Sequence, residues 1–238
     1  MLKIKNLTAV SESKELLRDI NLQIKSGEIH AVMGPKFSGK SALAHAISNH
    51  PSIQQVEGDI IWKRKNLKSL DTDQIAKLNI FVGFQVPPEF DNITNWELTK
   101  EMFSGIEVSD LQLKYTTCCE LLDLSAAHGD QFSSIGGVTL SQSKRNELVL
   151  MLLKNPELVV LDEIDEGLTE KEIVLVGIIL KDFLDHAKKS CLVITHNQTL
   201  LKILNPTHVH VMVGGEIKIS GGTELYTRII EDGYSEFS

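Results

Sequence analysis

The chain has 238 residues, 42% hydrophobic and 24% charged, with a formal net charge of -8. That balance suits one soluble α/β domain with an ample core, excludes general disorder, and gives no electrostatic footprint for a nucleic-acid partner. No uncharged apolar run approaches about 18 residues, so no direct membrane insertion is expected, and Met1–Leu7 alternates like a strand rather than a signal peptide.

The first thirty residues read as antiparallel strands. Leu2, Ile4 and Leu7 alternate with polar residues, and Ile20–Ile24 repeats the pattern before a Ser26-Gly27 turn. A buried strand, Ile29–Met33, leads into Gly34, and Ser41–Ile47 has the apolar spacing of a helix. From about Leu67 to Gln131 the pattern is mostly helical, interrupted by Phe81–Gln85 and by Pro87-Pro88. A helix over Lys144–Leu153 then precedes a strand at Leu158–Leu161, and a helix over Glu170–Asp185 precedes one at Cys191–Ile194. His208–Val213, Gly214-Gly215 and Glu216–Ile219 predict a hairpin, and Leu225–Ile230 a short amphipathic segment. The expectation is one domain over 1–238, a β/α core carrying a helical insert at about 87–155.

Cys118, Cys119 and Cys191 form no Cys-x-x-Cys pair, and the eight histidines lack metal-ligand spacing. Reduced thiols in the cytoplasm are expected, an organelle stroma remaining open, with no zinc or iron–sulfur site. Lys63-Arg64-Lys65 reads as a solvated turn and Cys118-Cys119 as core. Trp96, Phe90 and Phe103 read equally as core or as a docking face.

Gly34-Pro35-Lys36-Phe37-Ser38-Gly39-Lys40-Ser41 matches the phosphate-binding loop between strand and helix. Glycines allow the tight turn that aims successive N–H groups at phosphate oxygens, and the helix adds its positive end. Lys40 would neutralise the β- and γ-phosphates of ATP, and Ser41 would coordinate Mg²⁺. Phe37 stands where most such loops have glycine; at positive φ it would cost about 1–2 kcal/mol, and its bulk could crowd a phosphate. Downstream, Leu158–Leu161 runs into Asp162, which would hold Mg²⁺ through water, and Glu163, which would orient or deprotonate the attacking water.

With these elements the chain resembles the ATP-binding cassette family along nearly all its length. The fold implied is a P-loop cassette with an antiparallel β subdomain and an inserted helical lobe. The resemblance implies a Q-loop role for Gln85, sensing γ-phosphate and Mg²⁺, a D-loop at Ile164–Thr169, and a switch histidine at His196. Within the family, Ile29–Pro35, Gly83–Pro87, Lys144–Glu147, Pro206–Val211 and Gly233-Tyr234 resemble the SufC-type ATPases of iron–sulfur cluster assembly. That implies SufB/SufD-like scaffold partners and an ATP-dependent head-to-tail dimer of cassettes.

The signature segment departs from its usual Leu-Ser-Gly-Gly-Gln. Counting back from Asp162 places it on Val138-Thr139-Leu140-Ser141-Gln142, with Thr139, Ser141 and Gln142 toward a partner's nucleotide. A competing register starts at Leu140. The D-loop aspartate is replaced by Thr169. Three functions are compatible: a Suf-type ATPase, a nucleotide-gated scaffold with little hydrolysis, and the nucleotide-binding subunit of a membrane transporter.

Overall fold

A computed structural model of the protein describes residues 1–71, 74–75, 77–87, 92–125, 127–131, 138–186 and 189–234. Its strands are β1 (Leu2–Ser11), β2 (Lys14–Ile24), β3 (Ile29–Met33), β4 (Gln54–Trp62), β5 (Lys65–Asn66), β6 (Ile80–Gly83), β7 (Leu158–Asp162), β8 (Ser190–Ile194), β9 (His208–Val213) and β10 (Glu216–Gly221). The alternating strands of the N-terminal part form an antiparallel sheet in the order β2-β1-β4-β5. The apolar runs form a second sheet, β10-β9-β3-β8-β7-β6, in which β9, β3, β8, β7 and β6 run parallel and β10 closes the predicted hairpin.

Strands β3, β7 and β8 are buried at every residue, as continuous apolar runs in a parallel sheet require. Successive side chains point to opposite faces, so one strand feeds two cores. Leu158 and Val160 pack with the antiparallel sheet and with α1 (Lys40–Ile47). Val159 and Leu161 pack on the other face, with helices that include α4 (Leu140–Lys154), α5 (Glu170–His186) and α6 (Gln198–Leu204). The phosphate-binding segment lies at the C-terminal edge of β3, between these layers.

Between β6 and α4 lie α2 (Asn95–Met102) and α3 (Val108–Leu121). Thr94 starts α2 through a capping box with Glu97. Trp96 and Phe103 pack against the core, Trp96 with its ring 5.4 Å from that of Tyr115, which decides for packing at those two residues. Phe90 and the Pro88–Phe90 run lie outside the described residues. The amphipathic C-terminal segment is α7 (Thr223–Asp232).

Two helices differ from expectation. α4 begins at Leu140, four residues before the predicted Lys144, because Thr139 caps it. α6 was not anticipated; Asn197, whose side chain accepts from the Leu200 N–H, starts it. Lys63 and Arg64 form the expected turn, at φ 45° and 76°, with Lys63 paired to Glu157. Cys119 and Cys191 are buried, and burial pushes their thiols up to about 11 and about 12. They are poor nucleophiles at neutral pH.

Candidate functional site

A cleft of about 780 Å³ is lined by Lys36–Ala42, Gln85, Glu163, Asp165, Glu166 and His196, with Lys14–Leu16 and Gly214-Gly215 on its rim. Gly34 opens the loop at φ 153°, where a Cβ would stand 2.1 Å from the Met212 carbonyl oxygen, so no side chain fits. Gly39 caps α1 at φ 100°, with a Cβ position 2.7 Å from the Leu16 carbonyl oxygen. Lys40 is buried at the first position of α1, its ammonium donating to the carbonyls of Gly34 and Pro35 at 2.9 Å each. Burial lowers its pKa, opposed by Glu163 and Asp162. Ser38 is buried, and its carbonyl oxygen accepts the Gly215 N–H at 3.0 Å, pinning the loop to the β9–β10 turn.

Phe37 takes φ 64°, the strained region anticipated for it, yet its side chain is 101% exposed. The ring stands in solvent and does not fill the loop. The substitution of glycine therefore acts through the backbone rather than through bulk.

Asp162 ends β7 behind the loop. Both its carboxylate oxygens are buried without a hydrogen-bond partner, although the Ser41 hydroxyl lies near enough to favour the ionised form. Burial raises this carboxyl above its usual range. Two orphan acceptors beside Ser41 fit a hydrated divalent cation, whose waters would donate to them. Ser41, Gln85 and Asp162 are the residues that could hold it, and it would supply charge neutralisation for a triphosphate.

Glu163 turns out of the strand at φ 48°, its N–H bonded to the Ile194 carbonyl at 2.9 Å. That geometry aims the carboxylate into the cleft. Its pKa is raised by burial and by the neighbouring Asp162 and Glu166 carboxylates. The Gln85 amide donates to Glu163 at 2.7 Å and to Glu166 at 3.1 Å, which leaves its carbonyl oxygen as the atom that could accept a metal. His196 follows β8, with Nε2 4.0 Å from the Glu163 carboxylate. Burial, then Lys40, lower its pKa, so the neutral ring is favoured near pH 7.

Thr139, Ser141 and Gln142 do not line this cleft. Thr139 and Gln142 form a capping box: the Gln142 N–H donates to the threonine hydroxyl at 3.2 Å, and the Gln142 amide oxygen accepts the Thr139 N–H at 2.8 Å. Ser141 donates to Glu172 at 2.7 Å, and Arg145 pairs with the same carboxylate at 3.1 Å. Glu172 also accepts from the Thr169 N–H and hydroxyl, at 2.7 and 2.9 Å. The Thr169 hydroxyl thus acts as a helix cap, and one carboxylate ties α4 to the start of α5. Leu140 is 45% exposed and covers the backbone of Gly167.

Sequence reasoning named the run Lys144–Glu147 only for its resemblance and gave no role beside Gln85 to the pair at its ends. Fully buried Lys144 donates to the Phe84 carbonyl at 2.8 Å. Glu147, one turn on, lies close to the Phe84 N–H, and burial lifts its carboxyl to about 7. The backbone of Phe84, next to Gln85, is thereby held against α4. Lysine and glutamate three residues apart on a helix were the available signal. Tyr234 also went unassigned; its hydroxyl lies 3.2 Å from His196 Nδ1.

The fold brings Glu28, His30 and His208 together, with potential ligand atoms within 4.8 Å of one another, contrary to the expectation from spacing. The hydrogen bonds there run Ser220 to His210 (2.7 Å), His210 to His30 (2.9 Å) and His30 to Glu28 (3.1 Å). One choice of tautomers satisfies that chain without a metal, and the His30 and His208 rings stack at 4.3 Å instead of converging.

A phosphate-binding loop on a parallel sheet, facing a buried aspartate, a glutamate, a glutamine and a histidine, defines a P-loop nucleotide-binding domain. A family profile described as ABC transporter matches residues 17–166, more than half of the chain. The chain is 35% identical over 245 residues to the probable ATP-dependent transporter slr0075 of Synechocystis, covering 98% of this chain and 94% of that one. It is 34% identical to vegetative protein 296 of Bacillus subtilis, covering 98% and 91%. The fold is similar to that of the ATP-binding cassette MJ0796, solved as a dimer in a post-hydrolysis state bound to ADP and Pi. The TM-score is 0.83 at 21% identity, over 93% of this chain and 98% of that one. The chain belongs to the ABC transporter family and is an ATPase cassette domain.

Proposed function

We propose that the chain binds Mg-ATP on Gly34–Ser41, closes head to tail with a second cassette, and transmits that closure to partner proteins. The convergence of Lys40, Ser41, Gln85, Glu163 and His196 on one cleft, with the buried Asp162 carboxylate behind the loop, is the observation that carries this reading. Lys40 would exchange its two carbonyl partners for β- and γ-phosphate oxygens. Glu163 would accept a proton from the attacking water, and His196 would steady the γ-phosphate. Thr139, Ser141 and Gln142 would meet the second cassette's nucleotide from the end of α4. Closure driven by nucleotide is a shift between open and closed states.

The relatives' names, which include several probable transporter ATP-binding proteins of Streptococcus pyogenes, favour membrane-embedded partners. No helix among the described residues is long and apolar enough to cross a membrane, so on that reading the spans belong to another chain. A second reading is Suf-type iron–sulfur cluster assembly with SufB/SufD-like scaffolds. It is favoured by the runs Gly83–Pro87, Lys144–Glu147 and Gly233-Tyr234.

Phosphate release in Mg-ATP, for wild type and Glu163→Gln, alone, with matching transporter membrane subunits and with a SufB–SufD scaffold, tests these readings. Turnover lost in the variant supports the enzyme, and the stimulating partner assigns its system. No turnover in any combination refutes hydrolysis and leaves a nucleotide-gated scaffold.

A further inference from the structure

We infer that Tyr234 is a positioning residue for His196, an inference that rests on the role proposed above for that histidine. The chain reaches the site by a deliberate turn: α7 ends at Gly233, which takes φ 72°, a conformation costly for other residues. Tyr234 then returns toward the phosphate-binding loop. Its hydroxyl lies 3.2 Å from His196 Nδ1, and the two rings meet edge to face at 6.4 Å and 80°. The same hydroxyl lies close to the Gly34 N–H, at the first residue of the loop.

The phenol is assigned the donor's part in this bond, giving its hydrogen to Nδ1, although the contact geometry is compatible with either direction. A histidine nitrogen that accepts carries no proton, so the proton of the neutral ring sits on Nε2. Nε2 is the nitrogen that faces the Glu163 carboxylate, at 4.0 Å. Tyr234 therefore presents an N–H, rather than a lone pair, to the cleft where a γ-phosphate would lie. The ring is otherwise weakly held, since the His196 side chain is 42% exposed. The link also couples the C-terminal segment to the loop: movement of α7 would release the ring.

Tyr234→Phe keeps the ring contact and removes only the hydroxyl. Histidine ring-nitrogen NMR of ¹⁵N-labelled protein, with the His196 signals assigned from a His196→Gln sample, reads the tautomer directly. Wild type is expected in the Nε2–H form, and the variant as a mixture that includes Nδ1–H. In steady-state hydrolysis kcat is expected to fall about three- to tenfold at unchanged KM, the factor that one neutral hydrogen bond is worth. Identical ring-nitrogen shifts in the two proteins overturn the inference, as does an unchanged kcat in an active enzyme. A wild type without turnover overturns the proposed hydrolysis instead, and the tautomer comparison still decides the role of Tyr234.

Discussion

Glu147→Gln tests how α4 holds the backbone beside Gln85. The wild-type carboxyl is buried and titrates at about 7, above the usual carboxylate range, because burial disfavours its charge more than Lys144 restores it. A carboxyl whose folded pKa is raised keeps its proton in the native state while the unfolded chain has lost it. The native state then binds more protons, and stability falls as pH rises. The fall begins near the unfolded pKa and levels off above the folded value. Between pH 5 and pH 8 this group removes about 2.5 kcal/mol, from the shift and 1.36 kcal/mol per unit. Glutamine keeps an oxygen beside the Phe84 N–H but cannot ionise, so the variant lacks this slope. Urea denaturation at pH 5, 6, 7 and 8 measures it; the difference in midpoint shift is expected to approach about 1 M. Parallel wild-type and variant profiles would refute the reasoning, showing that Glu147 is solvated or compensated. Lys144 supplies a control: Lys144→Met removes the charge that holds the Glu147 pKa down, so the fall of stability with rising pH is expected to extend to higher pH.

Phe37→Gly should stabilise the protein by about 0.5–1 kcal/mol, read as a higher urea midpoint at unchanged slope. Relief of positive-φ strain outweighs glycine's greater freedom in the unfolded chain, and the exposed ring forfeits no burial. Asp162→Asn should weaken Mg-ATP binding about 10- to 100-fold by isothermal titration while leaving metal-free ATP binding unchanged. The same variant should be more stable than wild type at pH 8 without ligand, since burial raises the Asp162 carboxyl and the ionised form is the costly one. A loss of stability there would show that the carboxylate is already satisfied.

The sequence alone determined the loop, the strand-end carboxylates and the parallel core. Each is encoded within a few adjacent residues: Gly34 through Ser41 by backbone geometry, Leu158 through Glu163 by an apolar run ending in charge. Ile29–Met33 and Cys191–Ile194 were legible for the same reason, because a strand buried on both faces has to be apolar throughout. The start of α4 was not legible. Thr139 and Gln142 fit a signature motif and a capping box equally as letters, and the structure shows them bonded to each other.

What only the tertiary structure decided is what distant residues do to one another. Gln85 meets Glu163 and Glu166, Lys144 and Glu147 meet the backbone of Phe84, and Tyr234 reaches His196 across 38 positions. His30, His208 and His210 stack although no spacing announces it. Local patterns follow from the helix and strand periods, which repeat within one element. Pairings between elements depend on sheet order and register, and a hydrogen bond between two side chains is fixed only when both backbones are in place.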